Sequence, residues 1–206
     1  MIHTENELSG VSGDNCLEFL WLELTNRCNL RCTHCYAESG PQEHVHDLLG
    51  RTDYEALINE SFLLGCRHLQ FLGGEPTLNR DLPDLIRVAF EVGYSSIEVF
   101  TNLVSLPEQL LESFVRYKVK VATSVYSYES IMHDRVTQVS GSFEKTMRNI
   151  QRLLQAGVSV RAGVIAVDNN QAAVEATVSF LKKLGLEHVS TDRLRHFGRA
   201  KDSKDS

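Results

Sequence analysis

Apolar runs and helical stripes alternate along the chain at a spacing of roughly thirty residues. Phe19-Leu20-Trp21-Leu22-Glu23-Leu24 reads as a first strand, broken by Thr25-Asn26. Thr52-Asp53-Tyr54-Glu55 has the form of a capping box opening a helix that Gly65 closes. His68 to Leu72 predicts a second strand, running into Gly73-Gly74-Glu75-Pro76. Asp81 and Pro83 start a helix with Leu82, Leu85, Ile86 and Ala89 on one face. A third strand covers Ser96 to Thr101, ending at Asn102, and Ser105-Leu106-Pro107-Glu108 reads as another capping box for a helix ending near Tyr117. Lys118 to Tyr126 is the fourth strand; after a loop, Phe143, Met147, Ile150 and Leu154 stripe a helix closed by Gly157. Ser159 to Val167 is the fifth strand, and Asp168-Asn169-Asn170 a turn with an N-cap. Val174, Val178 and Leu181 mark the last helix, closed by Gly185, and His188 to Thr191 is a sixth strand.

Strands that alternate with helices imply an α/β fold with parallel strands and right-handed crossovers. A closed eight-fold barrel takes about 250 residues; this chain has 206. Six strands and five helices therefore predict an incomplete barrel. A flat doubly wound sheet gives the same alternation, but no glycine-rich dinucleotide fingerprint accompanies it.

The net charge of −6 argues against nucleic-acid binding through a basic surface. No run approaches the roughly 18 apolar residues of a membrane span, and the opening residues lack the basic and apolar regions of a secretory signal. The five cysteines are an odd number, which excludes a complete disulfide framework and favours a reduced, cytoplasmic chain.

Three of these cysteines lie together in Cys28-Asn29-Leu30-Arg31-Cys32-Thr33-His34-Cys35, on the loop after the first strand; Cys16 and Cys66 stand apart. Structural zinc takes four ligands, usually as two separated pairs, and no fourth ligand is evident. A redox pair at Cys32 and Cys35 leaves Cys28 unexplained. Ferredoxins normally supply four thiolates to a cluster. Three thiolates on one short loop suit a cubane with one iron left open. Candidate chemistry recurs at the other predicted strand ends, at Gly73-Gly74-Glu75-Pro76, Thr101-Asn102, Ser124, Asp168-Asn169 and Asp192. Any one of these alone reads as an ordinary loop polar residue. Glycines allow close backbone approach to a ligand, and a carboxylate complements an ammonium.

Cys28-x-x-x-Cys32-x-x-Cys35, with a ring at His34 just before the last cysteine, resembles the signature of the radical S-adenosylmethionine (SAM) enzymes. That resemblance implies a partial (β/α)6 barrel holding one [4Fe-4S] cluster on Cys28, Cys32 and Cys35. It implies SAM on the open iron, an external electron donor such as flavodoxin or ferredoxin, and a 5′-deoxyadenosyl radical that abstracts hydrogen. Carried over by motif, Gly73, Gly74 and Glu75 hold the methionine amino group, Asn102 and Ser124 the ribose or methionine carboxylate, and His34 packs near the adenine. Ser124-Val125-Tyr126-Ser127, His133-Asp134 and Gly141-Ser142-Phe143 resemble the branch that modifies ribosomal peptides, whose members often carry a SPASM or twitch extension. Asp192-x-x-Arg195-x-x-Gly198-Arg199 resembles the junction into that extension. Many members place an Arg four residues after the His. Here Thr137 stands there, and a role at the SAM carboxylate passes to Arg135.

Three segments are expected: an N-terminal extension at 1–16, the core at 17–199, and a charged tail or the start of an extension at 200–206. The last barrel helix is lacking, and no cysteine follows Cys66 to hold an auxiliary cluster. Either the chain works with one cluster or it is a fragment of a longer protein. The expected function is radical chemistry in peptide maturation, although sixteen leading residues are few for a separate peptide-recognition domain. A tailoring enzyme for a small metabolite such as a nucleoside or sugar is the second reading. A non-catalytic iron–sulfur carrier is the third, and it has no use for a methionine-binding motif.

Overall fold

A computed structural model describes residues 17–42, 47–166, 171–194 and 197–201. Cys16, the Asp168-Asn169-Asn170 turn, Arg195 and the residues after 201 lie outside the described residues, as does the segment 1–16. Six strands, β1 (Phe19–Glu23), β2 (His68–Leu72), β3 (Ser96–Phe100), β4 (Lys120–Val125), β5 (Val160–Ala166) and β6 (His188–Arg193), form one sheet in the order β1-β2-β3-β4-β5-β6. Every neighbouring pair is parallel. A doubly wound sheet reverses its strand order partway across; this order never reverses. Residues from all six strands, among them Trp21, Gln70, Phe100, Ser124, Ile165 and Asp192, line one cavity, so the sheet curves into a trough. The partial barrel is thus the observed fold, with the outer edges of β1 and β6 unpaired among the described residues.

Six α-helices cross over between strands or pack beside them: α1 (Arg51–Leu63), α2 (Leu82–Val92), α3 (Glu108–Arg116), α4 (Ser130–Thr137), α5 (Ser142–Gln155) and α6 (Gln171–Leu184). Apolar residues of α1, α2, α3, α5 and α6 cover the convex face. Ile58, Leu85, Ile86, Phe114, Ile150, Leu153 and Leu181 are buried there against strand residues such as Leu69, Phe71, Val99 and Val121. Burial alternates along β3 and β5, where Ile97, Val99, Val160, Ala162 and Val164 are buried and the residues between them are more exposed.

Two capping boxes anticipated from the sequence do not form. α1 starts two residues earlier, where the Asp53 carboxylate accepts the Gly50 N–H at 2.8 Å. α3 starts at Glu108 behind Pro107, with no side-chain cap. The residue before a proline is pushed towards extended backbone, so Leu106 cannot join the first turn that a Ser105 cap requires.

The stretch read as a loop after β4 contains α4. Its buried positions are His133 and Thr137, four residues apart, so its inward stripe is polar and leaves no apolar periodicity. Asp134 ties α4 to the start of α5, accepting from Gly141 N at 2.6 Å, Ser142 Oγ at 2.8 Å and Phe143 N at 2.9 Å. These bonds hold α4 beside the cysteine loop.

Candidate functional site

The cysteine loop has no ladder or helix of its own, so its backbone groups find partners elsewhere. Arg31 N donates to the Thr137 carbonyl at 3.0 Å and Thr33 N to the Val136 carbonyl at 2.9 Å. Those acceptors are the carbonyls that the last turn of α4 leaves unpaired. On the other side the end of β2 closes against the loop. Gly74 N donates to Thr25 O at 2.7 Å and Glu75 N to Arg27 O at 2.8 Å. A Cβ on Gly73 would lie 2.5 Å from Thr25 O, and one on Gly74 2.4 Å from Arg27 O. Only glycine lets these two backbones meet. The glycine pair therefore answers first to chain packing, where the sequence suggested ligand approach.

Cys28, Cys32, His34 and Cys35 face a cavity of about 970 Å³, with Gly73, Gly74, Asn102 and Ser124 on its walls. Among the described residues, no three His, Cys, Asp or Glu side chains converge as a single-ion site. The three thiols open onto one shared space. Burial pushes the Cys28 thiol up to about 12 and that of Cys32 to about 11. Both are thus neutral at pH 7 unless a cationic group draws off the proton. His34 Nδ1 is buried without a partner, and burial lowers the ring's proton affinity. Three thiols around one cavity beside an unpartnered imidazole nitrogen fit a [4Fe-4S] group. The remaining wall, with backbone exposed at two glycines, leaves room for SAM.

Asn102 lines the cavity, and its Nδ2 donates to Asn29 Oδ1 at 2.7 Å and lies 3.8 Å from Cys28 Sγ. Ser124 projects from β4 into the same space. Glu75 does not line it. Its carboxylate is 1% exposed and points into a network at the ends of β2 and β3. Oε1 accepts from Thr77 N at 3.1 Å, Thr77 Oγ1 at 2.7 Å and Thr101 Oγ1 at 2.6 Å, and Oε2 accepts from Asn102 N at 2.8 Å. Burial raises its pKa and these bonds offset part of that rise. Arg135 is not brought to the site either: it is exposed on α4 and absent from the cavity wall. The helix places it on the face opposite His133 and Thr137, both of which do line the cavity. Cys66 is buried between α1 and β2, with its thiol donating to His68 O at 3.3 Å.

Sequence reasoning missed Tyr126, His133 and Thr137 as wall residues. The Tyr126 hydroxyl lies 4.0 Å from Cys32 Sγ, and its ring stands edge-on to His34 at 4.9 Å between centroids. His133 Nδ1 accepts Tyr126 N at 3.4 Å, and burial lowers its pKa to about 4. The helical spacing of His133 and Thr137 was the available signal. Arg161, which lines the cavity from β5, donates Nε to Glu98 Oε2 and Nη2 to Glu98 Oε1, both at 2.7 Å.

The model of the radical SAM superfamily matches residues 22–181. The chain belongs to that superfamily, whose members use a [4Fe-4S] cluster and SAM. It is 29% identical over 185 residues to the antilisterial bacteriocin subtilosin biosynthesis protein AlbA of Bacillus subtilis (strain 168), covering 87% of this chain and 40% of that protein. It is 24% identical over 165 residues to a probable GTP 3′,8-cyclase of Methanococcus maripaludis, covering 80% of this chain and 55% of the relative. Among solved structures, Streptococcus suis SuiB bound to the precursor peptide SuiA superposes with a TM-score of 0.79 at 16% identity, over 93% of this chain and 43% of that one. The chain spans about half the length of the curated relatives it matches. Among the described residues no helix is long and apolar enough to cross a membrane.

Two predictions follow from the buried groups. In Glu75→Gln, either orientation of the new amide turns its NH2 towards a backbone N–H, that of Asn102 or of Thr77. An unsatisfied buried donor costs about 1–3 kcal/mol, so chemical denaturation should show a loss of that size. Wild-type stability in this variant would mean that the carboxylate network does not hold the strand ends.

His133 is neutral in the folded chain down to about pH 4, whereas an unfolded histidine titrates near pH 6.5. Its contribution is therefore complete above about pH 6.5 and is lost as pH falls towards 4, to a limit on the order of 3 kcal/mol. Denaturation midpoints of the cluster-free chain should fall over that window, and His133→Gln should remove this part of the slope. An identical pH profile in the variant would contradict the burial argument.

Proposed function

We propose that this chain is a radical SAM catalytic core that cleaves SAM reductively for hydrogen abstraction in the maturation of a ribosomal peptide. The observation that carries the reading is the common cavity onto which Cys28, Cys32 and Cys35 open beside the backbone of Gly73 and Gly74. Cys28, Cys32 and Cys35 are assigned to a [4Fe-4S] cluster with one iron left for SAM. When bound, these cofactors supply one-electron cleavage of the sulfonium, which ends, after hydrogen transfer from substrate, in methionine and 5′-deoxyadenosine. The electron comes from an external low-potential donor of the flavodoxin or ferredoxin type.

The chain's own residues orient and enclose. Gly73 and Gly74 present backbone to the methionine end of SAM. Asn102 and Ser124 supply polar side chains to the ribose or the carboxylate, and His34 with Tyr126 forms an aromatic wall for the adenine. Glu75 acts at one remove, by fixing Asn102 N and Thr101 at the strand ends. No side chain is assigned as a general acid or base. The thiols are all free among the described residues, in keeping with a reducing, cytoplasmic location.

Support for a peptide substrate comes from the 29% identity with the subtilosin biosynthesis protein and from the likeness to SuiB, solved with its precursor peptide. The 24% match to a probable GTP 3′,8-cyclase keeps a small-metabolite substrate as the second reading. The test is anaerobic reconstitution followed by dithionite and SAM. Slow formation of 5′-deoxyadenosine is expected without substrate, and none with Cys28→Ala, Cys32→Ala or Cys35→Ala. With a deuterated candidate peptide, deuterium should appear in the 5′-deoxyadenosine; transfer from a nucleoside or sugar instead would select the second reading. Release of S-adenosylhomocysteine with no deoxyadenosine would overturn the radical assignment.

A further inference from the structure

Residues 197–201 return to the cysteine loop and seat on it through contacts that only particular residues can make. Gly198 has φ +56, and a Cβ there would lie 2.3 Å from Cys35 O and 2.5 Å from Tyr36 O. No side chain fits at that position. The next residue, Arg199, donates its backbone N–H to Cys35 O at 3.1 Å. Its side chain then spans the loop, with Nε on Cys32 O and Nη2 on Ser39 O, both at 2.8 Å. The Cys32 bond joins residues 167 positions apart.

These bonds complete a two-sided grip. The N–H groups of Arg31 and Thr33 are held by the last carbonyls of α4. The carbonyl of Cys32, between them, is held by Arg199. A guanidinium is suited to this because it offers several donors in a rigid plane and stays charged. An ammonium has the charge, but its single nitrogen cannot span both carbonyls in the same way.

We propose that Arg199 is a positioning residue for the cluster, gripping the carbonyl side of the Cys32 turn and holding a fixed positive charge within hydrogen-bond distance of the Cys32 carbonyl. Gly198 is the seat that makes this possible. The proposal rests on the cluster reading given above. Its consequences are twofold. The grip slows cluster loss by keeping the loop closed. The charge stabilises the more negative, reduced cluster and so raises its reduction potential, since nearby charge and hydrogen bonding tune such centres.

The experiment compares the full chain with Arg199→Met, Arg199→Lys and Gly198→Ala. Three quantities are read: the rate of iron loss to a chelator, the midpoint potential of the cluster, and amide hydrogen exchange over residues 33–39 with and without the cluster. In Arg199→Met, iron loss and exchange should quicken by roughly ten- to a hundredfold, the range for losing one charge-assisted hydrogen bond, and the potential should become more negative. Arg199→Lys should keep the potential near that of the parent while losing iron faster, separating charge from grip. Gly198→Ala should quicken iron loss with Arg199 intact. Should Arg199→Met be insoluble, the other two variants carry the test. Parental exchange and iron loss in Arg199→Met would overturn the proposal, as would equal potential shifts in Arg199→Met and Arg199→Lys. If the parent chain takes up no cluster, the cluster reading fails, while exchange in the cluster-free chain still decides the grip.

Discussion

Everything at this site depends on two backbones meeting without side chains between them, Gly73-Gly74 at the end of β2 and Thr25 to Arg27 at the end of β1. The hydrogen bonds from Gly74 N to Thr25 O and Glu75 N to Arg27 O close that contact. They extend the β1–β2 pairing beyond the sheet and set where the cysteine loop leaves it. With the loop's origin fixed, its remaining polar groups reach the end of α4, and Cys28 N reaches Gly40 O. A single methyl group at Gly74 would press on the Arg27 carbonyl at 2.4 Å. The position of all three thiols thus follows from a steric condition on a neighbouring strand.

Burial sets the electrostatic character of the pocket. It keeps the Cys28 and Cys32 thiols protonated and the His133 imidazole neutral, so these groups carry no charge into the trough. Charge here is instead supplied by groups with fixed partners. Glu75 is surrounded by donors from Thr77, Thr101 and Asn102, and Arg199 by the carbonyls of Cys32 and Ser39. A cationic cluster arriving among neutral thiols would convert them to thiolates, coupling its binding to proton release.

Much of this was legible in the sequence, for identifiable reasons. The strands and the helices α2, α5 and α6 followed from periodicity, because burial against a sheet demands it, whereas α1 and α3 were read from capping boxes that do not form. The three cysteines and the glycine pair were visible because their spacing is local. The sequence is least informative where a side chain's direction decides its role. Glu75, expected to hold the methionine amino group, has its carboxylate turned inwards onto Thr77 and Thr101. Arg135 reads as two residues from His133, yet that spacing on a helix puts it on the opposite face. α4 escaped notice because its buried face is His133 and Thr137 rather than apolar. The grip of Arg199 on Cys32 spans too much of the chain for any local pattern to reveal it.

The central claim is that three thiolates on one loop hold a four-iron cluster and leave one iron open to SAM. Electron paramagnetic resonance of the reduced, anaerobically reconstituted chain, recorded before and after SAM is added, tests it most directly. Iron and sulfide should each come to about four per chain, and the signal should change on SAM addition as the open iron gains ligands. A four-iron signal that SAM leaves untouched, or one equivalent of tightly held zinc with no iron uptake, would contradict it.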